Sequence, residues 1–332
     1  IPVGGEERLA LRVRPVGSVA IDESSGSDLL CYTVAPVMAD DAVWIRADDG
    51  GPEACDQCTQ RAYSSGGSGF FVWPNDGQPL QAATVTVQGR VEYCRNGEAV
   101  YRVDDAGLPE ELVFERFVGA PAAGATLRLS VAALDGSGVE PGDPESDAYL
   151  AEVLDVVASR FAQVGIEVDL ATAYRIDTSG SIAWRQSDLR ELRSTLDAID
   201  EASGLPGDTL SQVRVVLAGC LERESETLGP SRYPAGATTS VPGGARAPSA
   251  VLVALGQCAD PPRPLDAREA GLTIAHELGH YLGLYHSNTA DGAHVAASGA
   301  RLMESSITGL SDDEARFSEA QGAVMRLHPS VY

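Results

Sequence analysis

The residues with the clearest chemistry lie in one stretch, TIAHELGHYLGLYHSN, at positions 273–288. It holds three of the chain's five histidines, and the first two, His276 and His280, are four residues apart. On a helix this spacing places both imidazoles on one face, one turn apart. Two neutral imidazoles so placed can bind a zinc ion, and Glu277 could reach a water at the metal without binding the metal. The pattern therefore predicts a zinc site that acts on water.

A third ligand depends on how this helix ends. A helix that continued past His280 would carry His286 away from the first two histidines. Gly283 lies between them, and glycine can adopt a positive φ and end a helix, so the chain could turn back and bring His286 to the same metal. Three protein ligands and one open position are typical of a catalytic zinc, whereas a structural zinc has four protein ligands.

The full pattern, H-E-x-x-H-x-x-G-x-x-H followed by Met303 in RLMESS, resembles the metzincin clan of zinc endopeptidases. The resemblance covers about 200 residues, from 126 to the C-terminus. It implies that His276, His280 and His286 bind zinc and that Glu277 is the general base. It also implies that Met303 forms the Met-turn, an apolar floor beneath the metal.

Within the clan, the chain lies between matrixin-like and pappalysin-like sequences. Ser287, directly after the third histidine, is similar to matrixins, and LGLYH is similar to pappalysins. Ser305 stands where astacins and serralysins place a metal-binding tyrosine, so that fifth ligand is absent.

The elements that would position these residues change along the chain. Up to about residue 118, about seven short runs rich in Val, Tyr, Phe and Trp are separated by Gly, Asp, Pro and Ser, which predicts a β-sandwich. Strand and helix patterns then alternate. SDLRELRSTLDAIDEASG, at 187–204, is predicted as a helix and QVRVVLAGCL as one strand. The helix LDAREAGLTIAHELGHYLG has Asp266 as its candidate N-cap. We expect an α+β chain: a β-sandwich-like domain at 1–120, then an α/β metzincin-type domain with a mixed sheet, an active-site helix and a C-terminal helix at 121–332.

The composition argues against several classes of partner. The net charge is −24, from 48 acidic residues against 24 arginines, and the chain has no lysine. Nucleic acids and anionic membranes need cationic surfaces, so neither is expected to bind. No apolar run approaches the roughly 18 residues that membrane insertion needs. Two explanations for the acid excess remain open. One is solubility together with a GC-rich genome that favours arginine, and the other is life in salty water.

The cysteines indicate an exported protein. Four lie in the first third of the chain and two in the second half, and an even count divided in this way indicates disulfides. The chain begins at Ile1, which we interpret as a processed form of a secreted, cell-surface or periplasmic protein. The disulfide candidates are Cys31, Cys55, Cys58, Cys94, Cys220 and Cys258.

Two alternatives remain open for the N-terminal cysteines. Cys55 or Cys58 could occupy the open zinc position and keep a protease latent, or both could bind a second zinc with Cys31 and Cys94. Disulfides are the interpretation that the sequence favours, so we predict no free thiol in the folded protein, although the sequence does not choose the pairing. Cys220 and Cys258 each end a predicted strand, so we predict a bridge between them.

A few further residues could bind ions or line the site. Asp135, Asp143 and Asp147 in the loop DGSGVEPGDPESD could bind calcium, although a solvated loop before a helix is the simpler interpretation. His294 is interpreted as a solvated loop residue or part of a pocket rim. His328 follows a predicted helix and would interact with the helix dipole.

These observations predict a secreted zinc endopeptidase that hydrolyses protein or peptide substrates with zinc-activated water and Glu277 as the base. We expect the substrate to lie along an edge strand at 249–257, SAVLVALGQ, as an added strand. The alternatives are a latent protease held by its N-terminal domain, or a binding or adhesion protein with a vestigial zinc site. Glu277 counts against a vestigial site, because zinc binding does not require it. The oligomeric state is left open.

Overall fold

The structure is a computed structural model, and it describes a large part of the C-terminal half and mainly strands of the N-terminal half. The described residues are 2–3, 8–16, 29–39, 42–45, 63–65, 69–73, 83–95, 98–102, 111–119, 124–177, 181–185, 198–199, 201, 211–225, 229–232, 235–238, 250–256, 265–288 and 295–332.

The N-terminal strands form two antiparallel sheets. One has the order β1-β7-β3-β4, with β5 on β3 and β8 on β7, and the other has the order β6-β2-β9. All seven runs predicted as strands are strands, because each is rich in β-branched and aromatic residues. How the two sheets pack, and the boundary at residue 120, stay predictions. The strands are β1 Pro2–Val3, β2 Arg8–Val16, β3 Leu29–Ala39, β4 Ala42–Ile45, β5 Tyr63–Ser65, β6 Gly69–Trp73, β7 Ala83–Arg95, β8 Glu98–Arg102 and β9 Glu111–Gly119.

The C-terminal half is built on a five-stranded mixed sheet of order β11-β10-β13-β17-β16. The first four strands are parallel, and β16 is antiparallel to β17. Every residue of β13 and β17 is buried, as expected of parallel strands covered on both faces. The strands are β10 Ala125–Leu134, β11 Ile166–Ile176, β13 Val213–Ala218, β16 Gly236–Thr238 and β17 Val251–Ala254.

The order of this sheet corrects the predicted substrate edge. The run at 249–257 contains β17, which lies inside the sheet between β13 and β16. Among the described strands, the short β16 is the outer one on this side. The prediction was wrong because strand order depends on pairing between distant segments, and β16, with the sequence GAT, has too few residues to give a strand signal.

A second, three-stranded sheet interrupts the expected pattern. The run QVRVVLAGCL, predicted as one strand, divides at Gly219 into β13 and β14, which belong to different sheets. Cys220 therefore begins a strand instead of ending one. The helix predicted at 187–204 lies almost entirely outside the described residues. The small sheet has the order β12-β14-β15, with β12 Ser181–Arg185, β14 Cys220–Ser225 and β15 Gly229–Arg232.

Three helices are described, α1 Pro144–Ala162, α2 Ala267–Tyr281 and α3 Glu319–Leu327. α2 packs on α1 and on strands β16 and β17. Asp266 caps α2 as predicted, since its side chain accepts a hydrogen bond from the Glu269 amide at 2.8 Å. The apolar core between the helices and the sheet packs α2 against β17, which contributes Val251 and Val253. No described helix is both long enough and apolar enough to cross a membrane.

The cysteine predictions are tested only in small part. No free cysteine is found among the described side chains, which include that of Cys220. The bridge from Cys220 to Cys258 stays a prediction, because Cys258 lies outside the described residues. The same holds for the latency and second-zinc alternatives, which involve side chains that are not described: Cys31, Cys55, Cys58 and Cys94.

Candidate metal centre

Helix α2 brings the first two histidines together and then ends where the sequence predicted. His276 and His280 lie one turn apart on α2 and are both buried. Gly283 follows the helix with φ of 106°, and the Leu284 amide donates to the Gly279 carbonyl at 2.9 Å. This left-handed turn closes the helix and reverses the chain. His286 consequently returns to the other two histidines.

The three histidines converge through their Nε2 atoms. The His280 Nε2 lies 3.1 Å from the Nε2 of His276 and 3.1 Å from the Nε2 of His286. Among the described residues, this is the one group of three or more metal-ligating side chains close enough to share an ion. Two nitrogens about 2.05 Å from a tetrahedral zinc lie roughly 3.3 Å apart, so the observed spacing fits zinc.

Backbone carbonyls determine which ring nitrogen carries the proton. The His276 Nδ1 donates to the Leu302 carbonyl at 2.7 Å, and the His280 Nδ1 donates to the Leu284 carbonyl at 2.6 Å. A carbonyl only accepts, so both Nδ1 atoms must be protonated. In the neutral rings, the Nε2 atoms then present lone pairs, which is how a second hydrogen bond orients a metal-binding histidine.

Burial keeps these rings neutral. It lowers the pKa of His276 to about 4 and the pKa of His280 well below its ordinary value, and it also lowers the pKa of His286. Near pH 7, the facing Nε2 lone pairs of His276 and His280 have no proton between them and repel each other. A cation held between them removes this repulsion, so the donor set fits a metal that prefers neutral imidazole, such as zinc.

Glu277 is buried next to this group but is not part of it. Burial raises the pKa of its carboxyl to about 7, and a hydrogen bond from the Thr238 hydroxyl opposes that rise. The Thr238 Oγ1 lies 2.8 Å from the Glu277 Oε2. Sequence reasoning missed Thr238, because nothing in the sequence showed that β16 lies beside α2.

The segment 302–303 forms hydrogen bonds and packing contacts with the helix and loop that carry the three histidines. The Leu302 carbonyl orients His276, and the Met303 carbonyl accepts from the amide of Ser287, next to His286, at 2.7 Å. The Met303 side chain is buried against Gly279, where a Cβ would come within 2.5 Å of the Met303 sulfur. The predicted Met-turn residue therefore lies where it can support the ligands, and its role stays part of the proposal below.

Ser305 lies near the centre but forms a different contact. Its hydroxyl accepts from the Asn288 Nδ2 at 2.9 Å, and its amide donates to the Asn288 Oδ1 at 3.1 Å. This two-point contact links the segment after His286 to the segment after Met303. Ser305 is not among the residues of the candidate metal group.

The structure favours the solvated-loop interpretation of Asp135, Asp143 and Asp147 over a calcium site. They form no group that could share an ion among the described residues. Asp143 caps α1 by accepting from the Ser146 amide, Asp147 accepts from the Gly142 amide, and Asp135 accepts from Arg175. Asp143 and Asp147 therefore order the start of α1, and Asp135 pairs with a side chain of the neighbouring strand β11.

The two remaining histidines have separate outcomes. His294 lies outside the described residues. His328 caps the C-terminus of α3, as expected from its position, but it is fully buried. Its Nδ1 accepts from the Ser330 amide at 3.1 Å, so it orders the chain after the helix rather than offering a solvated charge to the dipole.

Comparisons with known proteins add little to this geometry. No protein-family model matches the chain, and no curated protein matches it. One solved structure that it resembles is metalloproteinase-II from Bacteroides fragilis, with 15% identity and a TM-score of 0.29. The match covers 54% of this chain and 46% of that one, less than half of its length. A likeness of this strength carries no functional argument, so the proposal below rests on the site.

Proposed function

We propose that this chain is a zinc-dependent endopeptidase of the metzincin type, between the matrixin-like and pappalysin-like groups. The observation that carries the proposal is the convergence of three Nε2 atoms, with that of His280 3.1 Å from each of the other two, beside a buried carboxylate outside the set. Among the described residues, no fourth His, Cys, Asp or Glu joins the three, as a structural zinc would require, and a binding site would have no need of Glu277.

The centre divides the work between ligands and base. His276, His280 and His286 would hold the metal, and a bound zinc supplies a Lewis acid that activates water and polarises a carbonyl. The segment 302–303 orients His276 and packs beneath α2, which keeps the ligands in one arrangement. We assign to Met303 the floor of the centre on this contact.

Glu277 acts as the proton carrier. Burial raises the pKa of this carboxyl, and a buried carboxylate beside the metal can take a proton from the attacking water and, as the acid, pass it to the leaving amine. The burial that raises this pKa also keeps bulk water from competing for the proton.

The substrate is a protein or peptide in extended form. β16 lies beside Glu277 and is the outer strand of the sheet among the described strands. An extended segment that pairs with β16 would lie close to the base and add one strand to the sheet. This replaces the strand at 249–257 as the docking edge, and secretion of the enzyme belongs to the same proposal.

The test is turnover of a denatured protein such as casein. We expect cleavage by the protein loaded with one zinc, loss of cleavage when a zinc chelator is added, and recovery when zinc is restored but not when magnesium is added instead. Zinc binding at one equivalent without any cleavage would favour the binding or adhesion alternative. Cleavage that appears only after residues 1–120 are removed would favour the latent protease.

A further inference from the structure

Two residues of β16 contact opposite sides of the Glu277 carboxylate. The Thr238 hydroxyl lies 2.8 Å from the Glu277 Oε2 and 2.8 Å from the carbonyl oxygen of the same residue. Gly236 is two positions earlier, on the same face of the strand. A Cβ on Gly236 would come within 2.7 Å of the Glu277 Cγ and 3.0 Å of its Oε1. Any larger residue at position 236 would therefore displace the Glu277 side chain or that of Thr273, whose Cγ2 would lie 2.8 Å from the added Cβ.

These contacts distinguish the two carboxylate oxygens. The terminal torsion of a glutamate is soft and nearly two-fold, so burial alone does not select one orientation. The Thr238 hydroxyl has one proton, which it gives preferentially to the charged Oε2, because hydrogen bonds to an ionised acceptor are the stronger ones. Oε1 faces the backbone of Gly236 and receives no hydrogen bond from Thr238.

We propose that Thr238 is a positioning residue that holds the Glu277 carboxylate by Oε2, so that Oε1 is the oxygen that carries the proton. The proposal rests on the proposed peptidase function. The close approach of Gly236 is part of this arrangement, since a side chain at position 236 would push the Glu277 carboxylate away from the Thr238 hydroxyl. Thr238 acts through Glu277 and needs no contact with the metal.

The first test compares three variants of the zinc-loaded protein. Thr238→Val keeps the shape of the side chain but removes the hydroxyl. For this variant kcat should fall roughly 10- to 100-fold, because the loss of a hydrogen bond to a charged group typically costs this much, while KM changes less than about threefold. Thr238→Ser restores the hydroxyl and should recover kcat to within about threefold. Thr273→Val is the matched control, because that hydroxyl donates to the Glu269 carbonyl on the same helix. Zinc stoichiometry should be the same in all of them.

A second measurement does not depend on turnover. Thr238→Val should lower Tm more in the wild-type background than in a Glu277→Ala background, since the carboxylate partner is already missing from the latter. Equal Tm losses, or a Thr238→Val kcat within about twofold of wild type, would overturn the positioning role. Absence of zinc-dependent cleavage by the wild type would instead overturn the proposed function, and the Tm comparison would still decide whether Thr238 holds the carboxylate.

Discussion

At the scale of single residues, the centre depends on contacts made behind the ligands. Two carbonyls, those of Leu302 and Leu284, place the protons of His276 and His280 on Nδ1 and so leave the Nε2 atoms free to face the point where the three histidines meet. The sequence motif specifies the imidazoles but not these carbonyls. Their positions follow from the turn at Gly283 and from the return of the chain at 302–303 beneath α2.

Gly279 gives a prediction at this scale. In an exposed helix interior, Gly→Ala stabilises by about 1 kcal/mol. Here the added methyl would meet the Met303 sulfur at 2.5 Å, so we expect Gly279→Ala to lower the free energy of unfolding by about 1–3 kcal/mol. Denaturant unfolding measures this. The double variant Gly279→Ala with Met303→Ala should lose less than the sum of the two single losses, and a strictly additive result would contradict the packing account.

At the scale of elements, local sequence signals were sufficient to predict helix α2 but not to predict strand β16, which lies beside it. The histidine spacing, the cap at Asp266 and the turn at Gly283 are all encoded within about twenty residues, and the structure places each as predicted. The position of β16 depends on its pairing with β17, from which twelve residues separate it, and on the pairing of β17 with the more distant β13. Thr238 and the true outer strand therefore could not be predicted from local pattern, and the strand at 249–257 was wrongly placed at the edge.

The loop that carries Met303 is held by hydrogen bonds between Glu314, Ser311 and Arg301. These contacts predict that the stability of the protein depends on pH. Hydrogen bonds from the Ser311 amide and hydroxyl, and then from Arg301, lower the pKa of Glu314 to about 2. A carboxyl with a lowered folded-state pKa stabilises the protein above its unfolded value, near 4.5, and this contribution is lost as the pH falls from there toward 2.

We therefore expect Glu314→Gln to have a lower Tm than the wild type at pH 6. This gap in Tm should narrow as the pH falls to about 2.5. Thermal unfolding across that range measures the gap. Glu152→Gln is a matched charge control, because Glu152 is exposed on α1. A gap that stays constant with pH would mean that the loop does not depend on the ionised carboxylate.

At the scale of the whole molecule, the charge of −24 sets a dependence on salt. Repulsion among spread acidic residues is screened over about 10 Å at 0.1 M salt and over shorter distances in brine. We expect Tm to rise between low salt and roughly 0.6 M sodium chloride. Near the isoelectric point, about pH 4.4, the same increase in salt should change Tm very little. A flat Tm at neutral pH would leave only the explanation from genome composition and solubility.

The central claim is that Glu277 carries protons in a zinc peptidase without binding the metal, and Glu277→Gln tests it most directly. We expect this variant to bind one equivalent of zinc as the wild type does and to cleave denatured casein with kcat lowered roughly 100- to 10,000-fold, the usual contribution of a general acid and base. Glu269→Gln, at the start of the same helix, should keep its activity and serves as the control. Cleavage by Glu277→Gln at the wild-type rate, or loss of its zinc, would contradict the account.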